Sequence, residues 1–416
     1  MKRDLKSRLG ELQRSGEIKT GRQFAEDLQR GSKDNLFPGE GREEETTFGR
    51  CYMRELRFPL NHRHGGSTLS GILTCCGPEL ALPARDQNLA AIKPRSSIFL
   101  DIETTGLSGG TGTWAFLIGL GWLEGEQFLL RQYFLRKPAE ERAVLSHFAA
   151  TTEAFPAMIT FNGKLFDLPL IQTRQMLTGF NHTEPALHLD LLQCARRLWK
   201  KRLPSRSLRS LEESLLGLQR YDDIPGAEIP AVYFDYLRRG KTELLKKVFH
   251  HNVLDILSMV TLLERISLLA VGRQVEHPAE ALALGQLCLQ QGRVAEGINY
   301  LRETSSFNQV PPAEDAALEL AFYYKRQGNW ADAVAIWQSV VAQKSTNPFA
   351  YIELAKYYEH RCGSYQAALD LTEQALALTA FQQNLPPGSA FSLDILNHRK
   401  QRLQRRIAAS TPPTLS

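Results

Sequence analysis

The sequence predicts an α/β domain, a mixed sheet flanked by helices, followed by an all-α domain of helical repeats. Three observations carry this reading. Apolar runs of strand length linked by hairpin turns begin near residue 95 and give way to strands alternating with helical segments. Beyond residue 277 the same pattern of small residues and glycines returns three times. No apolar run approaches the roughly 18–20 residues that span a bilayer.

Taken in order, residues 1–90 show no clean periodicity, and their fold is left open. His62 and His64 lie in this stretch without a carboxylate or cysteine at ligand spacing, so packing or hydrogen bonding is expected of them, not metal binding. Ser97-Ile-Phe-Leu-Asp101 is an apolar run ending in an acid and reads as a buried strand. Thr113–Gly121 and Gln127–Leu135 read as two more, joined through Glu124-Gly125, a pair suited to a hairpin turn. Residues 138–152 read as a helix with Pro138 at its first position. A strand at Ala157–Phe161, a turn at Asn162-Gly163, a helix at Asp167–Leu177, a short strand at His188–Leu191 and a long helix at Lys241–Leu268 complete a domain expected over 91–270.

The repeat region is expected over 275–409. Leu284-Gly285, Cys288, Gly292 and Gly297 match Leu320-Ala321, Tyr324, Gly328 and Ala333, then Leu354-Ala355, Tyr358, Gly363 and Ala368. The turn glycines are 36 and 35 residues apart, close to the ~34-residue tetratricopeptide period of paired helices. Such repeats form concave surfaces, so a protein partner is expected there. The tail 410–416, ending in TPPTLS, reads as disordered.

Composition is that of an ordinary globular protein, 43% apolar and 23% charged. The N-terminus, MKRDLKSRLGELQRSGE, has no apolar stretch of signal-peptide length. A cytoplasmic protein with no membrane association is expected, its six cysteines reduced and structural. The net charge of +5 is mild. Between Arg196 and Arg209, however, seven basic residues (Arg196, Arg197, Lys200, Lys201, Arg202, Arg206, Arg209) stand with no acid among them, a block able to meet phosphates.

The chemistry concentrates in Asp101-Ile-Glu-Thr-Thr-Gly-Leu107. Residues i and i+2 of a strand share a face, so Asp101 and Glu103 present two carboxylates side by side. Like charges so placed call for a cation, and oxygen-only ligands favour Mg²⁺ or Mn²⁺. Thr104, Thr105 and Gly106 read as a tight turn whose backbone N–H groups are free to grip the end of a nucleotide chain.

DIETTGL resembles the first motif of the DEDD 3′–5′ exonucleases. Thr160-Phe-Asn-Gly-Lys-Leu-Phe-Asp167 resembles the second, and His250-His251-Asn252-Val-Leu-Asp255 the third. Together with the segments HLDLL and YDDIPGAEIPAVYFDYLRRG, these motifs resemble the YprB-type ribonuclease-H-like family over roughly 95–268. The resemblance implies two divalent cations, Mg²⁺ or Mn²⁺, on Asp101, Glu103, Asp167 and Asp255. It implies substrate contacts from Thr104, Thr105, Leu107, Asn162 and Phe166. The family places either His or Tyr ahead of its last Asp. Here His stands both five and four residues before Asp255, so His250 and His251 both remain candidates for the group that takes a proton from water. Asp190 is expected to support the site without binding metal.

The function expected is two-metal hydrolysis of nucleic-acid phosphodiesters, as a 3′–5′ exonuclease on single-stranded ends. The competing reading is an inactive nucleic-acid-binding scaffold or adaptor that recruits partners through its repeats. Neither DNA against RNA nor terminal against internal attack is legible in the sequence.

Overall fold

The computed structural model describes residues 41–106, 112–180, 184–306, 311–381 and 393–410. Leu107, most of the Gly-rich insertion at Ser108–Gly112, the first forty residues and 411–416 of the expected disordered tail lie outside them. The chain divides into two compact units, Met1–Gln274 and Val275–Ser416.

The first unit is built on a mixed seven-stranded sheet of order β1-β2-β7-β6-β5-β8-β9. Its antiparallel and parallel parts meet at β5 (Ser97–Thr104), whose apolar Ile98, Phe99 and Leu100 are fully buried. β5 pairs antiparallel with β6 (Ala115–Glu124), which pairs antiparallel with β7 (Gln127–Phe134) through the Gly125 turn. On its other side β5 runs parallel to β8 (Ala157–Thr160), and β8 to β9 (Leu187–Asp190). Residues 41–90, unreadable from periodicity, supply the hairpin β1 (Gly41–Thr46) and β2 (Gly49–Pro59), which extends the sheet antiparallel at β7. They also supply β3 (Arg63–His64) paired with β4 (Ser67–Thr68), a 3₁₀ turn at Leu69–Thr74 and helix α1 (Gly77–Ala84).

Helices α2 (Glu141–Thr152), α3 (Asp167–Leu177), α4 (Leu191–Trp199) and α5 (Ile229–Arg239) flank the sheet. The 26-residue helix α6 (Leu245–Ala270) carries eighteen buried residues. Its close approach depends on glycine. A Cβ at Gly119 would stand 2.2 Å from Asn252 Oδ1, and one at Gly121 2.7 Å from Ile256 Cγ2, so any larger residue on this strand would push the helix off the sheet. His64 and Ser67 fasten the N-terminal segment to α6 through Ser258 and Glu264. The two histidines are thus absorbed structurally: His64 Nε2 lies 2.7 Å from Ser258 Oγ, and His62 packs against Phe58.

The second unit is all helical: α7 (Pro278–Gln290), α8 (Val294–Ser305), α9 (Pro311–Arg326), α10 (Trp330–Ala342), α11 (Phe349–Tyr357), α12 (Tyr365–Phe381) and α13 (Leu393–Ser410). Gly292, Gly328 and Gly363 all take positive φ, 78°, 76° and 67°, at the turns between paired helices, a conformation glycine adopts without steric cost. Gly285 and Gly297 face each other across the α7–α8 pair, where a Cβ would meet the opposite carbonyl at 3.2 and 3.0 Å. Trp337, fully buried, centres the core of the next pair.

All six cysteines are free thiols, and Cys51, Cys75, Cys194 and Cys288 are buried. Among the described residues, no helix is long and apolar enough to cross a membrane.

Candidate active site

Asp101 and Glu103 project from one face near the C-terminal end of β5, and the parallel neighbour β8 ends at the same edge. After β8 the chain turns through Asn162, at φ 68°, and Gly163 into α3, which begins with Asp167. The turn is held by Asp190 at the end of β9. Its carboxylate accepts from the backbone N–H of Asn162 (2.9 Å), Lys164 (3.2 Å) and Leu192 (3.0 Å), the last capping α4. Asp190 thus shapes the loop that delivers Asp167.

Helix α6 brings the third element. Asn252 Nδ2 donates to Asp101 Oδ2 at 2.8 Å and to the Asp101 carbonyl at 3.2 Å. Asn252 Oδ1 accepts from Gln132 Nε2 at 2.8 Å, and the same amide reaches the Phe249 carbonyl. This chain links β5, β7 and α6 through buried groups. One turn on from Asn252, Asp255 joins the same electrostatic neighbourhood. Burial pushes the Asp101 carboxyl well above the usual carboxylate range, and Asp255 and Asp167 push it further. Burial does the same to Glu103, reinforced by Asp101, Asp255, Asp167 and Asp223. Asp167 rises to about 8, through burial and then Asp190 and Asp255. The charge of Asp255, up to 154 positions away in sequence, thus reaches Asp101, Glu103 and Asp167.

Sequence reasoning missed three side chains here. Arg220 enters from the loop before α5 with its side chain only 4% exposed. It donates to Asp255 Oδ1 at 2.5 Å, to Asp223 Oδ2 at 3.2 Å, and by Nε (2.7 Å) and Nη2 to both oxygens of fully buried Glu212. Asp223 also holds His251: Nδ1 lies 2.9 Å from both Asp223 oxygens, and Nε2 lies 3.8 Å from Asp255 Oδ2. Burial opposes ionisation of Asp223, but its hydrogen bonds from His251 and Arg220 outweigh that and lower its pKa. The only signal available was the YDDIPG segment, which carries Asp223 but assigns it no role.

The expected residues fare differently. His251 lies beside Asp223 and Asp255, whereas His250 is exposed, because successive helical residues point about 100° apart. The free-donor reading of the Thr104–Gly106 turn is corrected at Thr105. Thr105 N–H donates to the Trp114 carbonyl at 3.0 Å, its hydroxyl accepts from Trp114 N–H, and Thr104 Oγ1 bonds the Gly106 carbonyl. The turn closes on itself. Asn162 Oδ1 is buried without a hydrogen-bond partner among the described residues, and Phe166 is 53% exposed beside Asp167. The basic block is split as well: Arg197 caps α1 by donating to the Pro83 and Ala84 carbonyls, both at 2.8 Å, and Arg206 bonds its own loop.

Among the described residues, no group of three or more His, Cys, Asp and Glu side chains is arranged to hold a metal ion. Asp255 Oδ1 accepts from Arg220, and Asp101 Oδ2 accepts from Asn252. The donor chemistry of Asp101, Glu103 and Asp167 nevertheless suits a hard divalent cation: three carboxyls, each pushed up by burial and by neighbouring carboxylates, with no ion pair to Glu103 or Asp167 among the described residues.

The RNase_H superfamily model matches residues 98–267, the stretch from β5 through α6. Over 341 residues the chain is 33% identical to "Uncharacterized protein YprB" of Bacillus subtilis (strain 168), covering 79% of this chain and 80% of that protein. The chain belongs to the ribonuclease-H-like family. Membership supports a nuclease-type fold for the unit that carries this site.

Proposed function

We propose that the chain is a metal-dependent nuclease that removes nucleotides from the 3′ end of a single strand, with Mg²⁺ or Mn²⁺ held by the cluster of Asp101, Glu103, Asp167 and Asp255. The observation that carries this reading is the convergence of acids from three elements: Asp101 and Glu103 on one face of β5, Asp167 at the start of α3, and Asp255 on α6, the helix whose Asn252 bonds Asp101. Such crowding of acids is costly to a fold that gains nothing from a cation. When bound, the divalent ion supplies Lewis-acid polarisation of the phosphodiester and lowers the pKa of water.

The chain's own residues do the rest. Asp223 orients the His251 ring through Nδ1, which leaves Nε2 to take the proton as water adds to phosphorus and the bond to the 3′ oxygen breaks. Exposed Phe166 offers a face for stacking on a terminal base. Asn162, in the turn before it, is read as a further contact to the strand end. The helix pairs of the second unit are read as a tetratricopeptide-like appendage for a protein partner.

A second reading, a nucleic-acid scaffold without catalysis, is favoured by one observation: Arg220 already neutralises Asp255. Incubation of end-labelled DNA and RNA single strands with Mn²⁺, wild type against Asp101→Asn, separates the two. Stepwise shortening from the 3′ end by wild type alone supports the exonuclease. Internal cuts overturn the exonuclease assignment, and intact strands with retained binding favour the scaffold.

A further inference from the structure

Tyr221 is the most exposed large apolar side chain among the described residues, at 81%. Its neighbours are held inward. The side chains of Arg220 and Asp223 are each 4% exposed, Arg220 bonded to Asp255 and Asp223 to Nδ1 of His251. The segment is pinned at both ends as well. Leu218 N–H donates to the Glu212 carbonyl at 3.0 Å, and Ile224 packs in the core of the unit. Asp222 takes φ 57°, which Asp tolerates better than bulkier residues, and pairs with Lys247 of α6. The Tyr221 hydroxyl donates to Gln219 Oε1 at 2.9 Å, which tethers the edge of the ring. A single exposed apolar residue needs no explanation. In the first unit, however, the exposed large apolar side chains among the described residues include two aromatics, Tyr221 and Phe166. Phe166 adjoins Asp167 in sequence, and Tyr221 adjoins the arginine bonded to Asp255. Both rings therefore stand on loops that carry members of one cluster.

We propose that Tyr221 is a second stacking platform, taking an unpaired base of the strand on the His251 side of the site as Phe166 does on the Asp167 side. The inference rests on the nucleic-acid reading above and narrows its substrate. A base must leave its pair to lie on the ring, so Tyr221 favours single strands over duplex. Every base has a π-face, so the contact tolerates any sequence. The loop is already fixed through Arg220, Asp223 and Ile224, and little ordering is left to be done on binding. The ring is uncharged and its role involves no phosphate and no metal ion.

The test uses the full chain carrying Asp101→Asn, in EDTA, so that strands stay intact. The probes are DNA and RNA single strands with one fluorescent purine analogue, quenched by stacking, placed at successive positions from the 3′ end. Adding Tyr221→Ala should abolish quenching at one position and weaken binding by about 5- to 100-fold, the range for losing one stacked base. The salt dependence and the melting temperature should stay unchanged. Tyr221→Phe and Tyr221→Trp should keep both quenching and affinity. Unchanged quenching and affinity in Tyr221→Ala would overturn the proposal and leave the nucleic-acid reading intact. So would an equal loss on fully paired duplex, or a lowered melting temperature, which would assign the ring to the fold. If the parent chain binds neither strand, the nucleic-acid reading falls, and this proposal with it.

Discussion

Both carboxylate oxygens of Asp223 stand 2.9 Å from Nδ1 of His251. The contact fixes which ring nitrogen carries the hydrogen and turns Nε2 toward the acids. His251→Ala is expected to lower the initial rate of Mn²⁺-dependent strand cleavage by about 10²–10⁴-fold, and Asp223→Asn by an intermediate factor. His250→Ala, on an exposed position, should stay near the wild-type rate. A larger loss in His250→Ala than in His251→Ala would reverse the assignment.

The carboxyl cluster makes the metal-free protein sensitive to alkali. A carboxyl whose pKa is raised in the fold binds its proton more tightly there than in the unfolded chain. Its stabilising contribution is present below the unfolded pKa and is lost as pH rises through the folded one. For Asp167 that window runs from 3.8 to about 8. In EDTA the melting temperature should fall between pH 5 and 8, and Mn²⁺ should restore it. Asp167→Asn should raise the metal-free melting temperature at pH 8 by a few degrees, corresponding to roughly 1–2 kcal/mol, and shrink the gain from Mn²⁺. A lower metal-free melting temperature in this variant would show that the charge is not the destabilising element.

His64 acts in the opposite direction. It is 4% exposed, and burial lowers its pKa from 6.5 to about 4, with smaller contributions from Arg220 and His62. The folded state resists protonating it while the unfolded chain accepts the proton, so stability present above pH 6.5 is lost as pH falls toward 4. The loss should reach at most roughly 3 kcal/mol. Urea denaturation at pH 7.5 and 5 should show a shallower pH dependence for His64→Gln than for wild type, and equal slopes would refute the role.

Gly119 sits opposite Asp101 in the β5–β6 register and directly beneath Asn252. Alanine there would place Cβ 2.2 Å from Asn252 Oδ1. The expected cost is about 1–3 kcal/mol, together with weakened Mn²⁺ binding, because Asn252 positions Asp101. Gly226→Ala, with nothing within 4 Å of the added carbon, is the control and should be nearly neutral. Chemical denaturation and Mn²⁺ calorimetry on both variants check this.

The basic block divides into two kinds of residue. Arg197→Ala should destabilise the fold by about 1–2 kcal/mol, since two α1 carbonyls lose their donor. Arg196→Ala combined with Lys200→Ala, both exposed, should leave the melting temperature unchanged. It should flatten the salt dependence of single-strand binding by about 1–1.5 in log–log slope. An unchanged slope would make this face a solvated surface only.

Much of the fold was legible because periodicity records burial locally. The run at Ser97–Asp101, the Glu124-Gly125 hairpin and the turn glycines of the helical unit each depend on neighbours within a few residues, and the structure has a mixed sheet flanked by helices followed by an all-helical unit. The side-by-side placement of Asp101 and Glu103 follows from the two-residue repeat of a strand.

What the sequence could not carry were relations across long separations and the competition for each polar group. β1 and β2 have mostly short or irregular apolar patterning, and only pairing with β7 makes them part of the sheet. The N–H of Thr105 looked free until Trp114 closed the turn, and Arg197 looked like a phosphate contact until α1 placed its carbonyls beside it. The sequence by itself determined the classes of the two units and which acids stand on one strand face, because those are properties of short stretches of backbone. Only the tertiary structure decided that Arg220 meets Asp255, that Asp223 meets His251 and that His250 stays in solvent. Those pairings depend on where a loop 35 residues before Asp255 is buried against α6, and no local pattern encodes that.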